Sequence, residues 1–462
     1  MDPIVKTTRG AVRGIPGTGC VAFKGIPYAA PLDGLRRFQA PVDAPSWDGT
    51  RDGSRFSADP PQGTFLPGLP SAWQPTQSTD CLSVNVWTPD PGARGLPVMV
   101  WLYGGAFLIG TSRQPDYDGA TLAAGGVVVV TVNYRVGFEG FGWLPGVPQN
   151  RGFLDQLAAL RWVQDNIARF GGDPDNVTLF GESAGATAVA VLTAAGAARG
   201  LFHRAIGQSI ANGCLRETRA RRTTERIAAA LGVPATEVTA EAFARIPAED
   251  IHRVQSVPGE ITPYGPVIDG DLIVDHPWLG LRPEVDLIAG YNRDEYRLFV
   301  LNEPSSVQDP AASAEAFGVS LEDYRAAYPA MSDQELHVLI RSDAIFRIPA
   351  IRCAENHPGR SYSYELTWAG PLLGACHGLD VPLTFGSFSG PLGTMLLGNP
   401  VPPEAEMLSA QIRKAWLSFA ATGDPGWPEY EPGTALTRIW DVPVSVVSDP
   451  EATSRRIWAR ST

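Results

Sequence analysis

Four short apolar runs constrain this chain more than any other feature. They are Leu96-Pro97-Val98-Met99-Val100-Trp101-Leu102, residues 126–132, Val177-Thr178-Leu179-Phe180 and Asp286-Leu287-Ile288-Ala289-Gly290. None alternates apolar with polar residues, as a strand with one wet face does. Near-continuous runs of this length suit strands buried on both faces. Helical stretches lie between them, notably 155–170 and 184–198. Strands alternating with helices imply a mostly parallel sheet flanked by helices on both sides, an α/β architecture. Residues 4–28 read as a small hairpin punctuated by glycines, 57–79 as a long Pro- and Ser-rich surface loop, 361–366 as a late strand and 404–421 as a late amphipathic helix. The stretches 215–260 and 305–350 are helical and more polar, and are expected to leave the sheet and cap a pocket. No linker divides the 462 residues, so one domain spanning 1–462 is expected.

Composition narrows the function by exclusion. The formal net charge of −12 argues against a nucleic-acid partner, which a basic patch would announce. The longest apolar helical stretch, 184–198, is far shorter than a membrane span. The start, Met1-Asp2-Pro3-Ile4-Val5-Lys6, has no basic segment leading into an apolar run, so no secretory signal is expected. Five scattered cysteines, with no close pair, fit neither a zinc site nor a disulfide framework. A reducing, cytoplasmic setting is therefore expected. The oligomeric state is left open.

The chemistry concentrates at Gly181-Glu182-Ser183-Ala184-Gly185, a G-x-S-x-G pentapeptide. An apolar run leads in and a helix of small residues leads out, the strand–turn–helix setting of a nucleophile elbow. Glycine is needed because side chains two residues either side of the serine would strike neighbouring backbone. The helix dipole beyond Ser183 favours negative charge at its start. Upstream, Tyr103-Gly104-Gly105-Ala106-Phe107 follows the first apolar run. Acyl transfer passes through an oxyanion that needs backbone N–H donors, and small residues let a backbone approach closely. Among six histidines, His203, His252, His276, His337 and His357 lie beside charges, prolines or helical stretches and read as surface residues. His377 sits beside glycine and an apolar run, which leaves it as the candidate base.

Several of these segments resemble the type-B carboxylesterase family of the α/β-hydrolase superfamily. The residues that carry the resemblance are Phe170-Gly171-Gly172-Asp173-Pro174 with the elbow, Asp80-Cys81-Leu82-Ser83-Val84-Asn85-Val86-Trp87, Trp101 to Phe107, and Asn133-Tyr134-Arg135-Val136-Gly137, all in the family's order. The resemblance implies a Ser–Glu–His triad. Gly290-Tyr291-Asn292-Arg293-Asp294-Glu295 resembles the acid loop and points to Glu295, with Asp294 beside it as a competitor because Tyr296 stands where the family has glycine. Cys376-His377-Gly378 resembles the histidine loop. The implied oxyanion donors are the amides of Gly105, Ala106 and Ala184. Arg135 and Asp173 resemble a structural ion pair, and Asp155 and Glu182 read as buried scaffold carboxylates. Thr79 replaces a family glutamate that would pair with Arg37, and Cys81 lacks a disulfide partner in its loop.

The resulting expectation is a serine carboxylesterase that works on a small-molecule ester without metal or cofactor and without a membrane. Trp73, placed like the aromatic of the cholinesterase gorge, and Phe107 are the candidate pocket residues. The same triad also serves acyl transfer, cyclisation and carbamate or amide cleavage, and a catalytically dead binding protein keeps the same fold.

Overall fold

The computed structural model describes residues 3–64, 71–256 and 261–460. The stretch 215–260 and the loop 57–79 therefore lie partly outside the described residues.

Eleven strands form one sheet: β1 (Ile15–Gly17), β2 (Cys20–Pro27), β3 (Ser83–Thr88), β4 (Leu96–Leu102), β5 (Val128–Val132), β6 (Gly172–Glu182), β7 (Arg204–Gln208), β8 (Asp286–Asn292), β9 (Ser361–Leu366), β10 (Leu436–Trp440) and β11 (Ser445–Ser448). Their spatial order is β11-β10-β9-β8-β7-β6-β4-β5-β3-β2-β1. From β5 through β10 neighbouring strands run parallel, while β11 at one edge and β3, β2 and β1 at the other run antiparallel. The four apolar runs are all strands of the parallel part. Val98–Leu102, Val128–Val130 and Val177–Phe180 are almost wholly shielded from solvent, as residues covered on both faces must be. This is the α/β-hydrolase fold.

The covering helices include α1 (Arg151–Asn166), α2 (Ala184–Ala194) and α3 (Pro403–Thr422). The helix α2 buries Ala186, Ala188, Val189 and Ala190 against β6 and β7, and its small side chains set a close approach to the sheet. At the head of α1, Arg135 pairs with Asp155 in full burial, with guanidinium–carboxylate contacts of 2.6 and 2.8 Å. The expected Arg135–Asp173 pair is not formed: Asp173 instead accepts the amide of Asp175 within its own turn. Arg37 finds Glu139, at 2.6 Å, where Thr79 offers no carboxylate. All five cysteines are free thiols.

The segment 57–79 departs from the surface loop expected. Its described start is buried because its polar groups are committed: Asp59 accepts Thr111 and Arg113, and Gln62 exchanges two 2.8 Å hydrogen bonds with the backbone of Gly110. The helical excursions are real. One carries Glu217–Ala230, Ala240–Ala244 and Ala248–Val254; the other carries Pro310–Phe317, Leu321–Ala327 and Asp333–Ser342. The second group has a small core of its own around Tyr324, Leu336 and Ile340.

Candidate active site

Ser183 stands at the turn between β6 and α2 with φ 57° and ψ −122°, a conformation uncommon for any residue with a Cβ. The turn is enforced by crowding. A Cβ on Gly185 would lie 2.0 Å from the Leu102 carbonyl oxygen, and one on Gly181 would lie 2.7 Å from the same atom. Strand β4 thus presses on the elbow, and the Ser183 amide donates to the Gln208 carbonyl at 2.9 Å, tying the turn to β7 as well. Strain held by surrounding structure in this way exposes the hydroxyl at the carboxyl end of the parallel strands.

The segment after β4 turns back over the elbow. Gly105, Ala106 and Phe107 all take positive φ, at 115°, 57° and 56°. Gly105 admits no side chain, since a Cβ there would meet the Ile109 carbonyl oxygen at 2.3 Å. Among the described residues the amides of Gly105 and Ala106 donate to no acceptor, and the amide of Ala184 opens α2, where an N–H has no intrahelical partner. Three donors are therefore available beside Ser183.

Glu295 follows β8 and His377 follows β9. The His377 Nδ1 sits 2.6 Å from Glu295 Oε2. The other carboxylate oxygen accepts the Ser209 hydroxyl at 2.5 Å and the Asn292 amide at 2.8 Å, so the buried anion is fully engaged. Asp294, the competing acid, faces away and pairs with Arg297 at 3.6 Å. On the far side of the ring, His377 Nε2 lies 3.1 Å from Glu182 Oε1, and no hydrogen bond joins it to Ser183. Glu182 is thus more than the scaffold carboxylate expected: it borders the same cavity as Ser183 and His377. Burial pushes the Glu182 carboxyl up to about 8, against the opposing pull of His377. Burial alone would lower the His377 pKa, but the carboxylates of Glu182 and Glu295 outweigh it and raise it to about 9.

The cavity, about 440 Å³, opens over Ser183. Phe107 lines it; Trp73 does not. Trp73 is buried edge-on against His252, with ring centroids 5.8 Å apart, because the first half of its loop is pinned to Gly110. Of the five histidines read as surface residues, His252, His337 and His357 are buried. None of the five borders the cavity among its described lining. The wall also includes residues the sequence did not single out, among them Arg219, Leu298, Phe317, Arg341 and Phe346. Phe346 and Phe299 set their rings 4.4 and 5.2 Å from that of His377. Ser209, which holds Glu295, carried no sequence signal.

A family model described as the carboxylesterase family matches residues 1–441. The chain belongs to that family. It is 36% identical to the para-nitrobenzyl esterase of Bacillus subtilis (strain 168), over 98% of each chain. It is 35% identical to the fumonisin B1 esterase of Sphingopyxis macrogoltabida, over 92% of this chain and 84% of that one. A solved carboxylesterase of Geobacillus stearothermophilus superimposes with a TM-score of 0.89 at 34% identity, covering 98% of this chain and 99% of the other. A PNB esterase structure gives the same TM-score and identity over 99% of both. This member of the carboxylesterase family is a serine carboxylic-ester hydrolase, and its substrates are small-molecule esters. Among its described residues, no helix is long and apolar enough to cross a membrane.

Proposed function

We propose that the esterase works through Ser183 as nucleophile, His377 as general base and acid, and Glu295 as the carboxylate that orients the imidazole. The observation that carries this reading is the 2.6 Å contact of Glu295 with His377 Nδ1 in the cavity that Ser183 also borders. The contact fixes the tautomer, leaving Nε2 to act. For this, Nε2 turns from Glu182 to the serine hydroxyl, in keeping with the looseness of catalytic contacts before substrate binds.

Nε2 then takes the proton as Oγ attacks the ester carbonyl. The oxyanion is held by the amides of Gly105, Ala106 and Ala184, and collapse expels the alcohol, which takes the proton back from Nε2. Water, deprotonated in the same way, releases the acid and restores Ser183. The chain acts as one domain over 1–462, with the helices of 215–256 and 305–350 as caps over the cavity. Five free thiols suit a cytoplasmic setting. The net charge of −12 gives no footing for nucleic acid.

The decisive assay compares wild type with Ser183→Ala on p-nitrophenyl acetate, butyrate and octanoate. Loss of the nucleophile alone is expected to lower kcat by roughly 10⁶-fold. Equal activity in both proteins would mean another nucleophile.

A further inference from the structure

The cavity over Ser183 is electrically lopsided. At its catalytic end stand Glu182 and His377; on its helical side stand Arg219, from Glu217–Ala230, and Arg341, from Asp333–Ser342. Among the described lining residues these arginines are the permanent cations, and Glu182 is the one carboxylate. Glu182 lies 3.1 Å from His377 Nε2 and is engaged there.

Arg341 is anchored along one edge and only loosely paired with a carboxylate. Its Nε donates to Ser313 Oγ at 3.1 Å, its Nη1 donates to the Tyr296 hydroxyl at 2.9 Å, and its guanidinium lies 5.0 Å over the Tyr296 ring. The nearest carboxylate oxygen, Glu303 Oε1, is 4.0 Å away. Glu303 is already committed elsewhere, to the Tyr296 hydroxyl at 2.6 Å and to His337 Nε2 at 3.0 Å. Nη2 of Arg341 donates to no described residue, and the side chain keeps 22% of its surface exposed. A planar guanidinium fixed along one edge, with its other edge open, matches a carboxylate.

The spacing is set by aromatic rings. Tyr296 lies 5.3 Å from Phe299, and Phe299 lies 5.2 Å from His377, centroid to centroid. A carboxylate on Arg341 would therefore be separated from the scissile carbonyl by several carbons running along an apolar wall. We propose that this esterase prefers esters that carry a carboxylate at that remove, held by Arg341. The proposal rests on the serine-esterase reading of the same cavity. The net charge of −12 repels anions at long range, so the preference is local and resides in KM.

The test pairs mono-p-nitrophenyl adipate and suberate with p-nitrophenyl hexanoate and octanoate. Wild type should cleave at least one anionic ester with kcat/KM no lower than its neutral counterpart. Arg341→Gln should lower that anionic-to-neutral ratio by about tenfold, the scale of one charge-assisted hydrogen bond, and Arg341→Lys should restore part of it. A wild type that favours the neutral ester about tenfold at both lengths, or a ratio in Arg341→Gln within about twofold of wild type, overturns the proposal. Because Arg341 also ties helices together, a measurement on wild type alone stands beside the variant. Monoethyl adipate should compete with p-nitrophenyl hexanoate more tightly than diethyl adipate does, and the reverse order counts against the proposal. Failure to cleave even the neutral esters would instead overturn the esterase reading beneath it.

Discussion

The two sides of the cavity are built differently. On one side Ser183, Gly105, Ala106, Glu295 and His377 each follow the carboxyl end of a parallel strand, β6, β4, β8 and β9. Their backbones are fixed by neighbouring strands in register, and a single added Cβ at Gly185 or Gly105 would collide with a carbonyl. On the other side Arg219, Phe317 and Arg341 ride on helices inserted between strands, and the group from Pro310 to Ser342 packs largely on its own small core. A sheet edge can hold a reacting geometry to a fraction of an ångström, whereas an inserted helix can change its side chains without moving that edge. Substitutions on the first side should therefore act on kcat for every ester, and those on the second on the choice among esters.

The sharpest way to break this contrast lies in the acid loop. Glu295→Gln keeps the shape but leaves the imidazole without its anion and favours the wrong tautomer, so kcat should fall about 10⁴-fold with little change in KM. Asp294→Asn, one residue away but paired outward with Arg297, should keep most of its activity. Similar losses in the two variants would mean that the 2.6 Å contact does not identify the working carboxylate.

A smaller effect is expected at Glu182. As the proposed base, His377 can work only when unprotonated, so kcat/KM should rise with pH through its raised pKa, near 9. Glu182 is one of the carboxylates that raise it. Glu182→Gln removes that cause, and the acid limb of the pH profile should move to lower pH by about one unit. A limb that stays in place, or moves upward, would show that Glu182 does not share the imidazole's proton. The same profile in Arg341→Gln should not shift, since that guanidinium lies beyond Phe299 and Tyr296.

What the sequence disclosed divides along the same line. The elbow and the glycine loop were legible because close packing against strands restricts residue types: Gly181, Gly185 and Gly105 leave no room for a Cβ. His377 was picked out by its flanking glycine and apolar run among six histidines. The strands β4, β5, β6 and β8 were legible because burial on both faces demands continuous apolar runs. Strand β7 was not, because its Arg204 and Gln208 read as polar; Gln208 is buried nonetheless, donating to Asp380 at 2.9 Å. The pocket wall was the least legible part. Trp73 resembled a gorge aromatic by position, yet its packing on His252 depends on a loop pinned at Gly110, which no local pattern encodes. Arg341 drew no reading from the sequence, since its meeting with Tyr296 joins residues 45 apart in sequence. Three buried histidines were misread, and for two of them the partner is distant in the chain: Glu303 for His337 and Glu139 for His252.

The smallest predicted effect tests the helical side directly. Phe317 ends the helix Pro310–Phe317, half-buried, with one face on the small core and another on the cavity. Its ring lies on the wall an extended acyl or alkyl chain would follow, and it touches none of the strand-borne groups named above. Phe317→Ala should therefore lower kcat/KM for p-nitrophenyl octanoate by about three- to tenfold relative to the acetate, the scale of losing part of a hydrophobic contact. If the acetate and octanoate fall together, the helix transmits to the elbow and the two sides are mechanically coupled. If only the octanoate falls, chain length is read by a segment that leaves the chemistry untouched, and substrate range in this fold can drift while Ser183 stays where the sheet holds it.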